Sequence, residues 1–404
     1  MTVAISSATD LIDARLNGHN KRVAFIASQI SECLGLSYDD QIDVILSGFL
    51  HDVGIIGLKD TSCLFELDKE DSIHADVGHK LLTTIPELKK LAIIVRGHHV
   101  PYEKSEVQSD EAFKSQLINL ADRIDIVLDY NREPLSQREA ILKWINSKKG
   151  SRFHPEIVQA FNQLSGIEAF WFHLFAGDFD EELLEKANNR TLRLDTKGLL
   201  RFGKFFSQMI DFRSPFTATH SSGVAATAVF LAQKNGFQHK DQTLMRIAGY
   251  LHDVGKLAVP NTILEKNGKL TKEEFNVIKS HTYYTKSILG KIKDFQQISI
   301  WASLHHERLD GTGYPFHLQG QSIPLGSRIM AIADIFTALN EDRPYREGVL
   351  KGDVIRILTD MAERGGIDIE LTNLALKHYD ELSEICHFEQ KTARKEYQAF
   401  WAVS

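Results

Sequence analysis

The chain has 404 residues, 43% of them hydrophobic and 25% charged, with a formal net charge of -7. That length exceeds what one hydrophobic core ordinarily supports, so two or three domains are expected, and the balance of apolar and charged residues excludes a disordered chain. The acidic balance gives no general attraction to a nucleic-acid polymer. Apolar runs such as LAIIV at 91–95 are too short to cross a bilayer, and no N-terminal signal pattern is read, so the expectations are a cytoplasmic location and no membrane partner. Cys33, Cys63 and Cys386 match no zinc or disulfide spacing, which suits a reducing compartment.

In chain order, Val23, Ile26, Ala27, Ile30, Cys33 and Leu34 recur at the 3,4 spacing of one helix face, with Gly35 as its stop. FHPEIVQAF at 153–161 begins a helix, and the aromatic stretch AFWFHLF at 169–175 reads as core or an interdomain face. Residues 178–206 carry a charge run read as a solvated helical face. Leu244, Ile247, Ala248 and Leu251 form another apolar helix face. Asn267-Gly268 marks a turn, Thr271 with Glu274 has capping-box spacing, and IDIELTNLA at 367–375 begins a further helix. No run of alternating strands is found. The expected class is all-α, divided into residues 1–180, a helical linker at 181–210, and residues 211–404.

The phrase GFLHDVG at 48–54 returns as GYLHDVG at 249–255. A shift of 201 residues pairs His19 with His220, Val23 with Val224, Gly35 with Gly236, Asp40 with Asp241, and His51-Asp52 with His252-Asp253. Beyond that the copies lengthen in two places. From His51 to His74 is 23 residues and from His252 to His281 is 29, yet the next step, to His98-His99 or His305-His306, is 24 in both. The last step, to Asp122 or Asp334, is 24 or 29. Fixed helices with variable loops, duplicated in tandem, give this pattern.

Each copy therefore contains a His, a His-Asp pair, a His, a His-His pair and an Asp, and ten of the 17 histidines belong to these sets. Imidazoles and carboxylates suit first-row divalent metals, and a carboxylate can bridge two ions. Seven ligands are too many for one tetrahedral zinc, so a dinuclear centre is the natural reading. Two such ions activate a bridging hydroxide and offset charge on a phosphodiester. Lys256 follows Asp253 closely enough to bind a phosphate, and Arg343 and Arg346, if helical, share a side for a bidentate clamp. The Gly311-Thr312-Gly313-Tyr314-Pro315 loop permits close approach to a ligand, with Tyr314 able to stack on a base.

LHDVGK at 251–256, HHERLDGTGYP at 305–315 and ADIFTALNEDRPYR at 333–346 resemble the HD-GYP phosphodiesterases, a bacterial branch of the HD metal-dependent phosphohydrolases. The resemblance is strong over the second half and weaker over the first. It implies two tandem HD-type helical bundles and a substrate that is a cyclic dinucleotide, cyclic di-GMP or 3',3'-cyclic GMP-AMP. It also implies His220, His252, Asp253, His281, His305, His306 and Asp334 as ligands of two divalent ions, with Asp253 bridging. Iron or manganese is preferred and zinc is left open. Asp253 and Lys256 would act in catalysis, and Lys256, Asp310, Gly311, Gly313, Tyr314, Arg343 and Arg346 would contact substrate. Phe216 stands where some members hold a third metal through glutamate.

The first copy keeps His19, His51, Asp52, His74, His98, His99 and Asp122, so it too is expected to bind metal. It lacks the phosphate-facing groups: Ile55 replaces the lysine, HHVPYEKS replaces the Gly-Tyr-Pro loop, and Asn131 and Pro134 fall where the arginines would. It is read as a regulatory module or a different phosphohydrolase, such as a nucleotidase or phosphomonoesterase. A non-catalytic cyclic dinucleotide receptor remains the rival for the whole chain. Association with a second copy is left open.

Overall fold

The computed structural model describes residues 2–58, 73–105, 109–188, 195–211, 219–341 and 348–402. The chain divides into two compact units, residues 2–193 and 194–404. Among the described residues there is no strand, only an isolated bridge between Lys149 and Phe153. The all-α expectation holds.

The duplication is visible helix by helix. In the first unit His19–Cys33 packs against Tyr38–Leu50 and Asp110–Val127. In the second, His220–Lys234 packs against His239–Leu251 and Leu325–Asn340. Each pair is followed by a five-residue 3-10 turn, Val53–Gly57 or Val254–Ala258, against which the next long helix lies, Ile73–Thr83 or Lys272–Leu289. The second unit adds Tyr379–Ala402, packed along His220–Lys234. Ends follow local chemistry: Ser37 and Ser109 cap their helices by accepting from Asp40 N and Ala112 N, and Thr271 and Glu274 form the expected capping box.

The repeated glycines have a steric reason. A Cβ on Gly48 would lie 2.5 Å from Ala24 Cα, and one on Gly249 2.4 Å from Ala225 Cα, so His19–Cys33 crosses Tyr38–Leu50, and His220–Lys234 crosses His239–Leu251, in near backbone contact. A Cβ on Gly54 or Gly255 would stand 1.9 Å from the carbonyl oxygen of His74 or His281. The second glycine of the phrase thus brings the helix bearing the third histidine against the turn bearing the His-Asp pair.

Phe170, Trp171 and Leu174 are buried core while Phe172 is exposed, so AFWFHLF turns one face into the first unit. The charge run is not one connector. Asp180–Asn188 packs on Tyr38–Leu50 of the first unit, and Thr196–Asp211 packs on His239–Leu251 of the second. Phe202, Phe205, Phe206 and Met209, at helical spacing, are buried in that second contact.

Gly249→Ala is expected to lower stability by about 1–3 kcal/mol, because the helices must part to admit one methyl. An unchanged urea midpoint would contradict this packing.

Candidate metal centre

The C-terminal cluster is built by aiming imidazole nitrogens at one space. His252 Nδ1 lies 2.8 Å from Gly249 O, His281 Nδ1 2.6 Å from Ile278 O, and His305 Nδ1 2.6 Å from Ala302 O. Each ring thereby donates its Nδ1–H to the carbonyl three residues back, and its Nε2 lone pair faces inward. His252 Nε2 is 3.2 Å from Asp253 Oδ2, and His281 Nε2 is 3.4 Å from Asp253 Oδ1. His220 Nε2 is 3.0 Å from Asp334 Oδ1, and His306 Nδ1 is 4.0 Å from Asp334 Oδ2.

The electrostatics fit a cation site. Burial would raise the Asp253 carboxyl, yet His252, Lys256 and His281 hold it well below its ordinary value. Burial likewise opposes ionisation of Asp334, and His220, His306 and His252 overcome it. Burial pushes His281 down to about 3, lowers His305 strongly, and lowers His306 too, so these rings are neutral with lone pairs available. His252 Nε2 and Asp253 Oδ1 are buried without a hydrogen bond, a costly arrangement unless something else satisfies them. Three overlapping triads here, His281 with His305 and His306, His220 with His252 and Asp334, and His252 with Asp253 and His305, each hold their ligand atoms within 4.8 Å of one another. These donors fit divalent transition metals.

A cavity of about 670 Å³ opens over this cluster, lined by His305, His306, Tyr314, Phe275, Lys279 and Arg308 among others. That size admits a small organic ligand. Its mouth is shaped by the Gly-Tyr-Pro loop, pinned by Glu307, which accepts from Phe316 N at 2.7 Å and Leu318 N at 2.9 Å. Tyr314 stands 4.9 Å from the His306 ring, centroid to centroid.

Sequence models of the HD domain match residues 17–127 and 204–371. A 3'3'-cGAMP-specific phosphodiesterase of Vibrio cholerae is 29% identical over 401 residues, 96% of this chain and 93% of its own length. A second 3'3'-cGAMP-specific phosphodiesterase of that bacterium is 33% identical over 315 residues, 76% of this chain and 68% of its own. The chain belongs to the HD-GYP cyclic dinucleotide phosphodiesterase family. Among other HD-GYP relatives, a cyclic di-GMP phosphodiesterase response regulator of Xanthomonas campestris is 35% identical over 192 residues, 46% of this chain and 50% of its own. The crystal structure of a cyclic GMP-AMP specific phosphodiesterase of V. cholerae shares the fold, with a TM-score of 0.64 and 22% identity over 98% of this chain and 96% of that one. HD domains are metal-dependent, and no described helix is long and apolar enough to cross a membrane.

All seven residues singled out in the HD-GYP unit converge. Lys256 reaches the cluster although the helix ends at Leu251, because the 3-10 turn folds it back: Nζ is 2.5 Å from Asp253 Oδ2. Gly313 and Tyr314 line the cavity, whereas Asp310 and Gly311 are not among its lining residues. Asp310 Oδ1 instead accepts from Thr312 N and Oγ1, an Asx turn that shapes the loop. Arg343, Arg346 and Phe216 lie outside the described residues. Sequence reasoning missed Glu341, 3.3 Å from His220 Nδ1, and Phe275, Lys279 and Arg308 of the cavity wall, none of which belongs to the repeated pattern.

The first HD unit also gathers its seven. His19, His51, Asp52 and Asp122 lie with nitrogens and oxygens 3.3–3.8 Å apart, and His74 Nε2 is 3.4 Å from Asp52 Oδ1. His19 Nδ1 is oriented by Asp125 at 2.7 Å, which in turn binds Arg22. Ile55, where the second unit has Lys256, is fully buried against Leu16, Ile12 and Leu58. The missing lysine is a packing residue there.

Burial lowers the His220 imidazolium, but Asp334 and Glu341 outweigh it and push the metal-free pKa up to about 10. The ring is therefore protonated at neutral pH, and ligation through Nε2 must expel that proton. Manganese binding to the HD-GYP unit is expected to release a proton and to tighten up to about tenfold per pH unit as pH rises toward 10. Calorimetry in buffers of different ionisation enthalpy checks this; no proton release at pH 8 would contradict it.

Proposed function

We propose that the protein is a metal-dependent phosphodiesterase that opens a cyclic dinucleotide to the linear form, with 3',3'-cyclic GMP-AMP preferred over cyclic di-GMP. The observation that carries the reading is Asp253, buried among inward-facing imidazole nitrogens, in a cluster whose His305 and His306 line a cavity large enough for a nucleotide. The preference draws support from the relatives that span both halves of the chain, which are 3'3'-cGAMP-specific phosphodiesterases. We assign residues 2–193 to an HD-like domain without the Gly-Tyr-Pro loop and the remainder to the HD-GYP domain.

His220, His252, Asp253, His281, His305, His306 and Asp334 would hold two divalent ions, iron or manganese by preference, with Asp253 central to the donor set. Such ions supply a water made acidic enough to attack phosphorus at neutral pH and offset the charge that develops on phosphoryl oxygens. The chain's own groups do the positioning. Tyr314 and Phe275 offer aromatic faces to a base, and Lys279 and Arg308 place positive charge along the wall. Lys256 Nζ, 23% exposed at the side chain, adds positive charge beside Asp253 where a phosphate would dock. The reaction adds water to phosphorus and breaks one P–O3' bond; the 3' oxygen leaves with a proton.

Asp253→Asn is expected to cut turnover by about a thousandfold or more, because the ligands act as a unit. Lys256→Met should retain the ions and lose about 10- to 100-fold of kcat/KM, roughly one charged hydrogen bond. The measurement is chromatography of products from both cyclic dinucleotides with anaerobically purified, metal-analysed protein. Binding without cleavage in the metal-loaded wild type would make the protein a receptor and end this reading.

A further inference from the structure

The two clusters share seven ligands and differ at the residue after the last aspartate, which is Arg123 in the first unit and Ile335 in the second. Ile335 lines the open cavity. Arg123 is 2% exposed and turned into the cluster: its Nη2 lies 2.9 Å from His99 Nδ1 and its Nε 3.5 Å from Asp122 Oδ2. In the second unit the corresponding atoms, His306 Nδ1 and Asp334 Oδ2, face one another across 4.0 Å.

A guanidinium can only donate, so His99 Nδ1 is the acceptor and carries no proton. The neutral His99 ring then bears its proton on Nε2, which is 2.8 Å from His74 Nε2. His74 accepts it. One buried cation thus commits both nitrogens of His99 and the inward lone pair of His74. The rings are correspondingly closer than their counterparts, with centroids 4.6 Å apart for His74 and His99 against 5.2 Å for His281 and His306. The nitrogens of His74, His98 and His99 are near enough to share an ion, so proximity does not separate the two clusters. The donor pattern does.

In the other half of the first cluster no guanidinium intervenes, and the facing nitrogens, His51 Nε2 and His19 Nε2, lie 3.3 Å apart. His51 donates its Nδ1–H to Gly48 O at 2.8 Å, and His19 is oriented by Asp125 at 2.7 Å. Both Nε2 atoms, with Asp52 and Asp122, therefore remain for one ion. We propose that Arg123 takes the place of a second metal ion in the N-terminal cluster and limits that cluster to a single divalent ion. Positive charge that the second unit would draw from solution is built into the first as a side chain, and the position a phosphoryl oxygen would need there is filled.

The test counts manganese per chain by mass spectrometry after equilibration and gel filtration, on the full-length wild type and two variants, with helicity checked by circular dichroism. Asp52→Ala should lose one ion relative to wild type, and Arg123→Met should gain one. A loss of none or of two in Asp52→Ala, or no gain in a folded Arg123→Met, overturns the proposal. If Arg123→Met does not fold, Asp52→Ala decides alone. The C-terminal ions are common to all three proteins and cancel, so the outcome is independent of whether the HD-GYP unit cleaves cyclic dinucleotides.

Discussion

Oxygen atoms of one buried carboxylate, Asp253, lie within 4.0 Å of nitrogens from His252, His281 and His305, and the bundle is arranged to make that convergence repeatable. The three rings arrive on three different helices or their ends. Each is locked by a hydrogen bond to its own helix, so its inward nitrogen has nowhere else to point. The close approach that permits this is set by an absent side chain: Gly255 lets the helix bearing His281 rest against the turn bearing Asp253. Burial keeps His281, His305 and His306 neutral, and cationic neighbours keep the Asp253 and Asp334 carboxylates charged. A donor set preorganised in this way needs little rearrangement to receive cations.

The two halves show how one scaffold can keep its ligands and change its chemistry. At the rim the second unit carries Lys256, an open cavity and a loop pinned by Glu307. The first carries Ile55 packed on Leu16, and Arg123 facing inward. Each cluster has one lysine or arginine against a ligand carboxylate, but at opposite ends: Lys256 beside Asp253 in the second, Arg123 beside Asp122 in the first. The histidine that opens each set is oriented by a carboxylate in both cases, Asp125 or Glu341, supplied from different positions along the chain. The orienting function is kept while the residue that performs it moves.

Much of this was legible in the sequence because spacing survives duplication. The order of histidines and aspartates, the 201-residue shift and the His-Asp-Val-Gly phrase identified all fourteen residues that the fold gathers. The capping box at Thr271 and the helix starts at Pro155 and Ile369 were equally readable, since they depend on neighbours within four residues. Glu341, Asp125, Lys279 and Arg123 were not. Their importance lies in which face of a helix meets which ring, and neither a repeat nor a local motif encodes that. The charge run at 178–206 misled in the opposite way: its apolar residues at helical spacing, among them Phe202 and Phe206, join a core that only the packed bundle reveals.

Anomalous diffraction from crystals of the manganese-loaded protein tests the central claim most directly. The account predicts two peaks in the C-terminal cluster, one on each side of the Asp253 carboxylate. A single peak there, or density that leaves Asp253 uncoordinated, would contradict it.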